Sequence, residues 1–372
     1  MKKRFILLSL LLVAALLAGT AAAAGGDAGD PLVSLDYLTK AFSAKAEQAA
    51  QDKIDAAGSA VYESALAQWR VALGAAEDMQ HVSDWTEARL KHGDILSGAT
   101  GTEIMLLAGE MSVQFSAGAI VDATEGNAKL TSGSELKANH HYIVAEDTAA
   151  LFTVISRTAV LDYRGDYHLS LSNATTDYNA MASALKALDL FKGTDTAYGE
   201  GFDLELQPTR IQALVMLIRL LGEEDDALAC TAPVTFKDIP ATYWGRSYIA
   251  YAVEKGYTNG VEDNQFAPNR IATTQMYIEF VLRALGYSDT TQSDISDAAQ
   301  RALTAGVITS GEKAVLEGTT FLRADVVYLS WYALEVPVAQ NMQPLHTKLE
   351  SMGVFTAADY RSAKKLVTGA RL

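Results

Sequence analysis

Residues 236–286 read FKDIPATYWGRSYIAYAVEKGYTNGVEDNQFAPNRIATTQMYIEFVLRALG, and this stretch decides the fold of the C-terminal half. The apolar run Ile249–Val253 predicts a first helix, which ends at the glycine-containing turn Lys255–Gly260. Phe266–Pro268 predicts a loop. The apolar-periodic segment after it ends at Leu285 and Gly286, where glycine typically terminates a helix. The stretch therefore predicts helix, Gly-rich loop and helix within about 50 residues.

The second helix of this stretch has two counterparts that match it without a gap. Counting from Arg210, Thr274 and Arg323, the positions four, eight and eleven residues further on are apolar in each segment. These positions are Leu214, Ile218, Leu221, Ile278, Leu282, Leu285, Val327, Trp331 and Leu334. Offsets of three and four put them on one face of each helix, and a single helix pair cannot bury such a face alone. We therefore expect three copies that stack around a shared core.

The copies cover residues 176–336, at about 176–224, 234–288 and 292–336, and a helical tail follows at 337–372. Residues 1–24 combine a basic start, an apolar run and small residues, which predicts a secretory signal peptide rather than a membrane span. No second apolar run is long enough to span a bilayer. Residues 25–90 are rich in alanine and predict helices, which either cover the next domain or associate with a second copy.

Residues 91–172 have a different character, because glycines recur between short β-type runs. This spacing predicts a small antiparallel β sandwich or barrel. The predicted strands are Glu103–Leu107, Ser112–Phe115, Ala119–Ala123, His141–Ala145 and Leu151–Ile155. The whole chain is thus predicted to be a multidomain α+β protein: a helical N-terminal segment, a β domain and a C-terminal all-α bundle of three copies.

The net charge of the chain and its few reactive residues limit which classes of function we expect. With 45 acidic and 30 basic residues the formal net charge is -15, which disfavours sequence-independent binding to nucleic acid. The single cysteine, Cys230, can form neither an internal disulfide nor a Cys-rich zinc site. The sequence contains no zinc-protease motif, nucleophile elbow, phosphate-binding loop or dinucleotide fingerprint. We therefore expect no catalytic residues, no cofactor and no metal.

Two features that could suggest a metal have simpler interpretations. His140 and His141 are neighbours in a predicted strand, where their side chains point to opposite faces and cannot chelate one ion. The first copy also contains an acidic loop without the alternating ligands and central glycine of a calcium loop, so we interpret it as a solvated turn. Its members are Asp195, Glu200, Asp203 and Glu205.

The repeat region resembles the S-layer homology domain of bacterial surface proteins. The middle copy has the family's outline, with Phe-x-Asp at 236–238, then Trp244, a glycine turn, Phe-x-Pro and a helix that ends Arg-Ala-Leu-Gly. The family's Thr-Arg-Ala-Glu signature is close to Thr209–Gln212 in the first copy and Leu322–Asp325 in the third. Thr274 takes the place of the signature arginine in the middle copy, and the outer copies lack a recognisable Phe-x-Asp and Trp.

This resemblance implies a non-covalent cell-wall anchor. Three copies would form a pseudo-threefold bundle whose grooves hold a secondary cell-wall polysaccharide, often ending in a pyruvylated sugar. The carboxylate of a pyruvate ketal matches the two-donor fork of a guanidinium, and a helix start also favours an anion. The candidate ligand-binding residues implied in this way are Thr209, Arg210, Asp238, Trp244, Gly260 and Arg323.

Three of these residues also have a structural interpretation. Arg210 and Arg323 could be solvated arginines at helix starts, and Trp244 could pack between helices instead of stacking on a sugar. Arg219 and Arg283, nine residues after Arg210 and Thr274, are interpreted as surface or ion-pair residues. Because only two copies have the signature arginine, we expect at most two anion-binding grooves.

Two classes of function remain open at this point. The first is a non-enzymatic, exported protein attached to the cell wall through the repeats, with the other regions displayed outward. The second is a wall-anchored enzyme or carbohydrate-binding protein whose active part is the β domain. A deep polar pocket in the β domain would favour the second class, and a filled core the first.

Overall fold

A computed structural model describes residues 45–46, 48–51, 53–54, 79–146, 148–193, 201–289, 291 and 294–372. The chain divides into two compact units, Met1–Gly74 and Ala75–Leu372. In the first unit, the described residues between 45 and 54 are helical. The predicted signal peptide and most of the predicted Ala-rich region, including its proposed self-association, lie outside the described residues.

Nine strands form one antiparallel sheet in the second unit. They are β1 (Gln80–Lys91), β2 (Ile95–Gly98), β3 (Glu103–Ala108), β4 (Met111–Gln114), β5 (Ala119–Asp122), β6 (Ala128–Lys129), β7 (His140–Ala145), β8 (Ala150–Val154) and β9 (Thr158–Ser170). The long strand β9 pairs with β1 along one edge, and with β3 and then β2 along the other. It therefore joins two smaller groups of strands, β4-β8-β2 and β3-β7-β5-β6.

The β part encloses its own apolar core. Leu96, Ile104, Leu106 and Phe152 are fully buried there, and Tyr142 is nearly so. The predicted mixed α+β class with an antiparallel β part is confirmed. The five predicted strands are present, with each boundary within one residue of the prediction.

One part of the sequence prediction was wrong at the start of the sheet. Residues 80–90 were assigned to the helical N-terminal region, but Gln80–Lys91 is a strand. Among the strands of the described residues it pairs with β9 alone, and most of its first eight residues are exposed. A solvated edge strand does not need an apolar face, so its sequence has no strict alternation.

Ten α-helices follow in the described residues. They are α1 (Tyr178–Ala187), α2 (Arg210–Leu220), α3 (Glu224–Ala229), α4 (Arg246–Glu254), α5 (Thr274–Leu285), α6 (Ala298–Thr304), α7 (Ser310–Gly318), α8 (Arg323–Ala333), α9 (Leu345–Met352) and α10 (Ala357–Lys364). Threonine caps four of them, since the side chains of Thr209, Thr273, Thr309 and Thr356 accept a backbone N–H of the first turn. Gly286 ends α5 in the left-handed region, as predicted.

The three helices α2, α5 and α8 contact one another pairwise. The nine apolar positions predicted four, eight and eleven residues after their first residues are all buried. Tyr277 of α5 and Ser330 of α8 share a buried hydrogen bond of 2.7 Å. The segments before the helices also join, because the Arg210 N–H donates to the Arg270 carbonyl and the Arg323 N–H to the Leu206 carbonyl. The starts of these helices are therefore tied together by backbone hydrogen bonds.

The sheet is attached to the helices through Arg157, which lies between β8 and β9. Its Nη1 lies 3.1 Å from a carboxylate oxygen of Asp325 and donates to the Thr320 carbonyl at 2.9 Å, and its Nη2 donates to Thr319. Asp325 belongs to the first turn of α8 and is fully buried. A buried carboxylate needs such a partner, so this ion pair connects the two parts tightly.

Candidate functional site

A groove of about 1070 Å³ lies between the start of α2 and the middle copy. One side of it is formed by the loop after α4, and the other by one face of α5 and residues 294–296. Its lining comprises Arg210, residues 258–263, Gln265, Ala267, Arg270, Thr273, Gln275, Met276, Glu279, Phe280, Arg283 and residues 294–296. Two of the sequence-predicted site residues, Arg210 and Gly260, meet in this groove.

Arg210 is almost completely buried at the base of the groove, with 3% of its surface exposed. Its Nη2 donates to the Thr258 hydroxyl at 3.1 Å and to the Gly260 carbonyl at 3.3 Å. The guanidinium carbon lies 5.1 Å from the ring centre of Phe266 and 5.0 Å from that of Phe280. Among the described residues no carboxylate pairs with Arg210, and its buried Nε has no hydrogen-bond partner. The prediction of a solvated helix-start arginine is therefore wrong for Arg210.

The electrostatic surroundings of Arg210 are positive on this side of the groove. Burial, and then repulsion from Arg270 and Arg283, lower the pKa of Arg210 to about 10. Glu279 is the buried carboxylate of the groove wall, and it is paired with Arg283 and Arg301, each at 2.7 Å. This confirms the expected ion pair for Arg283. An anion placed between these arginines would relieve their mutual repulsion.

Gly260 and Asp238 build the loop that faces Arg210. Gly260 has φ of +83°, and a side chain there would meet Phe236 at 2.4 Å and the Gln265 carbonyl at 2.6 Å. Asp238 accepts the N–H groups of Phe266 and Ala267 at 2.9 and 2.7 Å. The Phe-x-Asp element therefore shapes the loop, and Asp238 does not line the groove.

Thr209 and Trp244 do not line the Arg210 groove. Thr209 caps α2 through a reciprocal pair of hydrogen bonds with Gln212. Trp244 is 62% exposed and leans on Tyr243 and Tyr248, with ring centres 5.8 and 6.3 Å away. The alternative that Trp244 packs between helices is therefore wrong. It is also absent from the lining of the Arg210 groove.

Arg323 lies apart from this groove and in different electrostatic surroundings. It is 5% exposed, so the interpretation of a solvated arginine is wrong here as well. Its Nε donates to the Phe202 carbonyl at 3.0 Å. Burial lowers the pKa of Arg323, while the nearby carboxylates of Asp203 and Glu205 oppose this shift. Of the predicted acidic loop, Asp203 and Glu205 thus lie near an arginine, whereas Asp195 and Glu200 lie outside the described residues. The interpretation as a solvated turn is wrong for Asp203, which is buried.

Sequence reasoning missed several residues of the groove, notably Thr258, Arg270 and Phe280. They have no motif of their own, and only the fold brings them to Arg210. Arg270 lies in the segment that pairs with the start of α2, and Phe280 faces the groove from α5.

The β part contains one cluster with metal-ligand chemistry among the described residues. Ligand atoms of Asp122, Glu125 and His140 lie within 4.8 Å of one another. Asp122 already accepts from His140 at 2.7 Å and from the backbone of Thr124 and Glu125. His141 contacts Glu103 instead, at 2.8 Å, which confirms that the two adjacent histidines face apart.

The described residues contain no helix with the length and apolar character required to cross a membrane. Residues 235–273 match the S-layer homology domain family. This segment contains the Phe-x-Asp element, Trp244, Gly260 and the loop that faces Arg210.

The chain is also similar to several bacterial surface proteins. It is 34% identical over 109 residues to a cell surface protein of Thermoanaerobacter kivui, which covers 29% of this chain and 14% of that protein. It is 26% identical over 155 residues to the middle cell wall protein of Brevibacillus brevis, covering 40% of this chain and 14% of that protein. A cellulosome-anchoring protein of Acetivibrio thermocellus is 31% identical over 72 residues, or 19% of this chain and 16% of that protein. The chain thus spans only about a seventh of the length of these relatives.

The family match and the similarity to these relatives indicate a protein of the bacterial cell surface. The chain carries an S-layer homology domain, and it is a secreted, cell-wall-associated protein. The family resemblance drawn from the sequence is therefore confirmed for the middle copy.

Proposed function

We propose that the chain is a non-enzymatic anchor whose residues 176–336 form three S-layer homology copies and hold the protein non-covalently to the cell wall. The Arg210 groove binds an anionic secondary cell-wall polysaccharide, with a pyruvylated sugar as the preferred ligand. The β domain and the N-terminal helices are then displayed outward.

One observation carries this proposal: Arg210 is a buried guanidinium beside a groove, without a carboxylate partner among the described residues. A buried cation is expensive unless it is paired, so the site is poised for an anion. A ketal carboxylate is the kind of anion that a guanidinium binds with charge-assisted hydrogen bonds.

The non-enzymatic part of the proposal rests on two observations. The sequence contains no catalytic motif, and the interior of the β part is filled by apolar side chains such as Ile104, Leu106 and Phe152. A filled core favours a displayed module over an enzyme, because catalysis needs a cleft with convergent polar groups.

The test is a sedimentation assay of the full chain with purified cell-wall sacculi, native or stripped of pyruvate. We expect binding to native sacculi only. Arg210→Ala should weaken it about ten- to a hundredfold, because it removes charge-assisted hydrogen bonds. Arg361→Ala is the matched control, since this arginine is exposed on α10. Equal binding of the chain to stripped and native sacculi would contradict the pyruvylated ligand, and full binding by Arg210→Ala would contradict the groove.

A further inference from the structure

The face of α8 that carries Tyr328 and Tyr332 corresponds to the face of α5 that carries Glu279 and Arg283. Both pairs lie five and nine residues after the first residue of their helix. On α5 this face lines the open groove. On α8 it is covered by the chain itself, through residues 369–372.

Arg371 makes the central contact of this covering segment. Its Nε and Nη2 donate to the two carboxylate oxygens of Glu312 at 2.7 and 3.2 Å. Its guanidinium carbon lies 4.3 Å from the ring centre of Tyr332. The guanidinium is therefore held in a bidentate ion pair on one side and over an aromatic ring on the other.

The surroundings of the Glu312 carboxylate favour the binding of such a cation. Its side chain is 1% exposed, and it accepts the Tyr328 hydroxyl at 2.6 Å and the Thr309 N–H at 2.5 Å in addition to Arg371. Burial would raise the pKa of Glu312, but the hydrogen bonds from Arg371, Tyr328 and Thr309 bring it below its ordinary value. The carboxylate thus stays ionised in a site that only a cation can complete.

The backbone on either side of Arg371 is also held in place by hydrogen bonds. The Thr176 hydroxyl donates to the Ala370 carbonyl at 2.8 Å, and the Leu372 N–H donates to the Tyr328 hydroxyl at 3.0 Å. Gly369 lies so close to the chain that a side chain there would meet the Thr175 carbonyl at 2.7 Å. Residues 369–372 therefore contact both the residues that precede α1 and helix α8.

We propose that Glu312, Tyr328 and Tyr332 form a guanidinium-binding site that Arg371 fills in cis, so that residues 369–372 act as a strap over this face of α8. This site prefers a cation as its ligand, whereas the Arg210 groove contains a buried cation and prefers an anion. The site goes beyond the proposed function and does not depend on it. One consequence does rest on that function: because residues 369–372 cover this face of α8, the wall polymer does not bind there.

The strap can be tested by amide hydrogen exchange on the full chain. In the wild type we expect protection of the Ala370 and Leu372 amides. Arg371→Ala and Glu312→Gln should each lower this protection about tenfold or more, because a charge-assisted pair is lost. Arg371→Lys should have a smaller effect, because an ammonium keeps the charge without the fork. Unchanged protection in Arg371→Ala would overturn the proposal.

A second measurement tests whether the site formed by Glu312, Tyr328 and Tyr332 prefers a guanidinium group. The Arg371→Ala chain is titrated calorimetrically with the acetylated peptide VTGARL, which copies residues 367–372, and with VTGAAL as the matched control. We expect binding of the arginine peptide only, and loss of that binding when Glu312→Gln is added. Equal behaviour of the two peptides would overturn the guanidinium preference, even if the anchor proposal holds.

Discussion

The guanidinium of Arg210 donates to the Thr258 hydroxyl at 3.1 Å, although the two residues are 48 positions apart in the chain. Arg210 begins α2, and Thr258 belongs to the Gly-rich loop of the segment that matches the S-layer homology domain family. The same side chain therefore connects α2 to this segment and lies at the base of the groove. Substitutions of Arg210 should consequently affect both stability and binding, and the two effects have to be measured separately.

Arg210→Lys should separate them. Lysine keeps the positive charge and an apolar stem near Phe266 and Phe280, but it is a point charge without the planar two-donor fork. We expect a thermal midpoint within a few degrees of the wild type and about tenfold weaker binding to sacculi. Thr258→Val is the comparison, because it removes the hydroxyl that accepts from Arg210 and from the Gly260 N–H but leaves the guanidinium in place. If Arg210→Lys bound as tightly as wild type, charge alone would account for attachment.

Arg323→Ala should behave differently from Arg210→Ala. Arg323 is buried, donates to the Phe202 carbonyl, and lies near Asp203 and Glu205. Nearby carboxylates disfavour a further anion, so we expect lower stability but nearly full binding to sacculi. Thermal melts and sedimentation on the same samples test this. A loss of binding equal to that of Arg210→Ala would establish a second working groove.

Leu285→Ala should destabilise the helical unit by about 2–5 kcal/mol, as large-to-small changes in a packed core do. Leu285 is 1% exposed and belongs to the apolar face that α5 presents to its neighbours. Leu228→Ala is the matched control, because Leu228 is 56% exposed. Equal urea midpoints for the two variants would show that α5 is not central.

The parts of the fold that the sequence predicted well depend on local patterns. Apolar positions at offsets of three and four predicted the buried faces of α2, α5 and α8, because helix periodicity fixes which side chains share a face. Strands β3, β4, β5, β7 and β8 were found because turn residues bound them. Strand β1 was missed because its solvated edge needs no alternation.

The site was predictable only in part, for a related reason. Arg210 and Gly260 have signatures within their own copies, so sequence alone could single them out. Arg270 and Phe280 contribute to the groove through contacts between copies, and no local pattern specifies those contacts. Trp244 is a different case, because its motif position predicts a role near the ligand while its exposed ring lies outside the Arg210 groove, so that role stays a prediction.

Asp325 should make stability depend on pH. Burial raises the pKa of Asp325 to about 6, against the opposing influence of Arg157, so the folded chain binds this proton more tightly than the unfolded chain does. The free energy of unfolding contributed by Asp325 is therefore greatest below about pH 4 and is lost as the pH rises through 6. Its size is on the order of 3 kcal/mol.

The measurement is a difference between two pH profiles of urea unfolding, wild type and Asp325→Asn. Other carboxylates, such as Glu312, have lowered pKa values and slopes of the opposite sign, and they cancel in the difference. As the pH rises from about 4 to just above 6, we expect the wild type to lose stability relative to Asp325→Asn. Parallel profiles would show that Asp325 titrates normally.

Thr274→Arg restores the signature arginine of the middle copy, and sequence alone predicts that it raises affinity if the groove is otherwise formed. The structure changes the expectation. Thr274 is 8% exposed, and its hydroxyl donates to the Leu316 carbonyl at 2.9 Å, so a guanidinium has to displace α7 to fit. The corresponding face of α8 is already covered by Arg371. We therefore expect a lower thermal midpoint and no gain in binding to sacculi.

Ile271→Arg is the matched control for this last variant, because it adds the same charge three residues earlier at a position that is 44% exposed. It should leave the thermal midpoint nearly unchanged. Combining Thr274→Arg with Arg371→Ala tests whether the strap is the remaining obstacle, because the double variant has both a new arginine and an uncovered α8 face. A gain in affinity by Thr274→Arg alone would mean that α7 yields easily and that this face accepts polymer despite the strap. A gain only in the double variant would identify Arg371 as the group that keeps it closed.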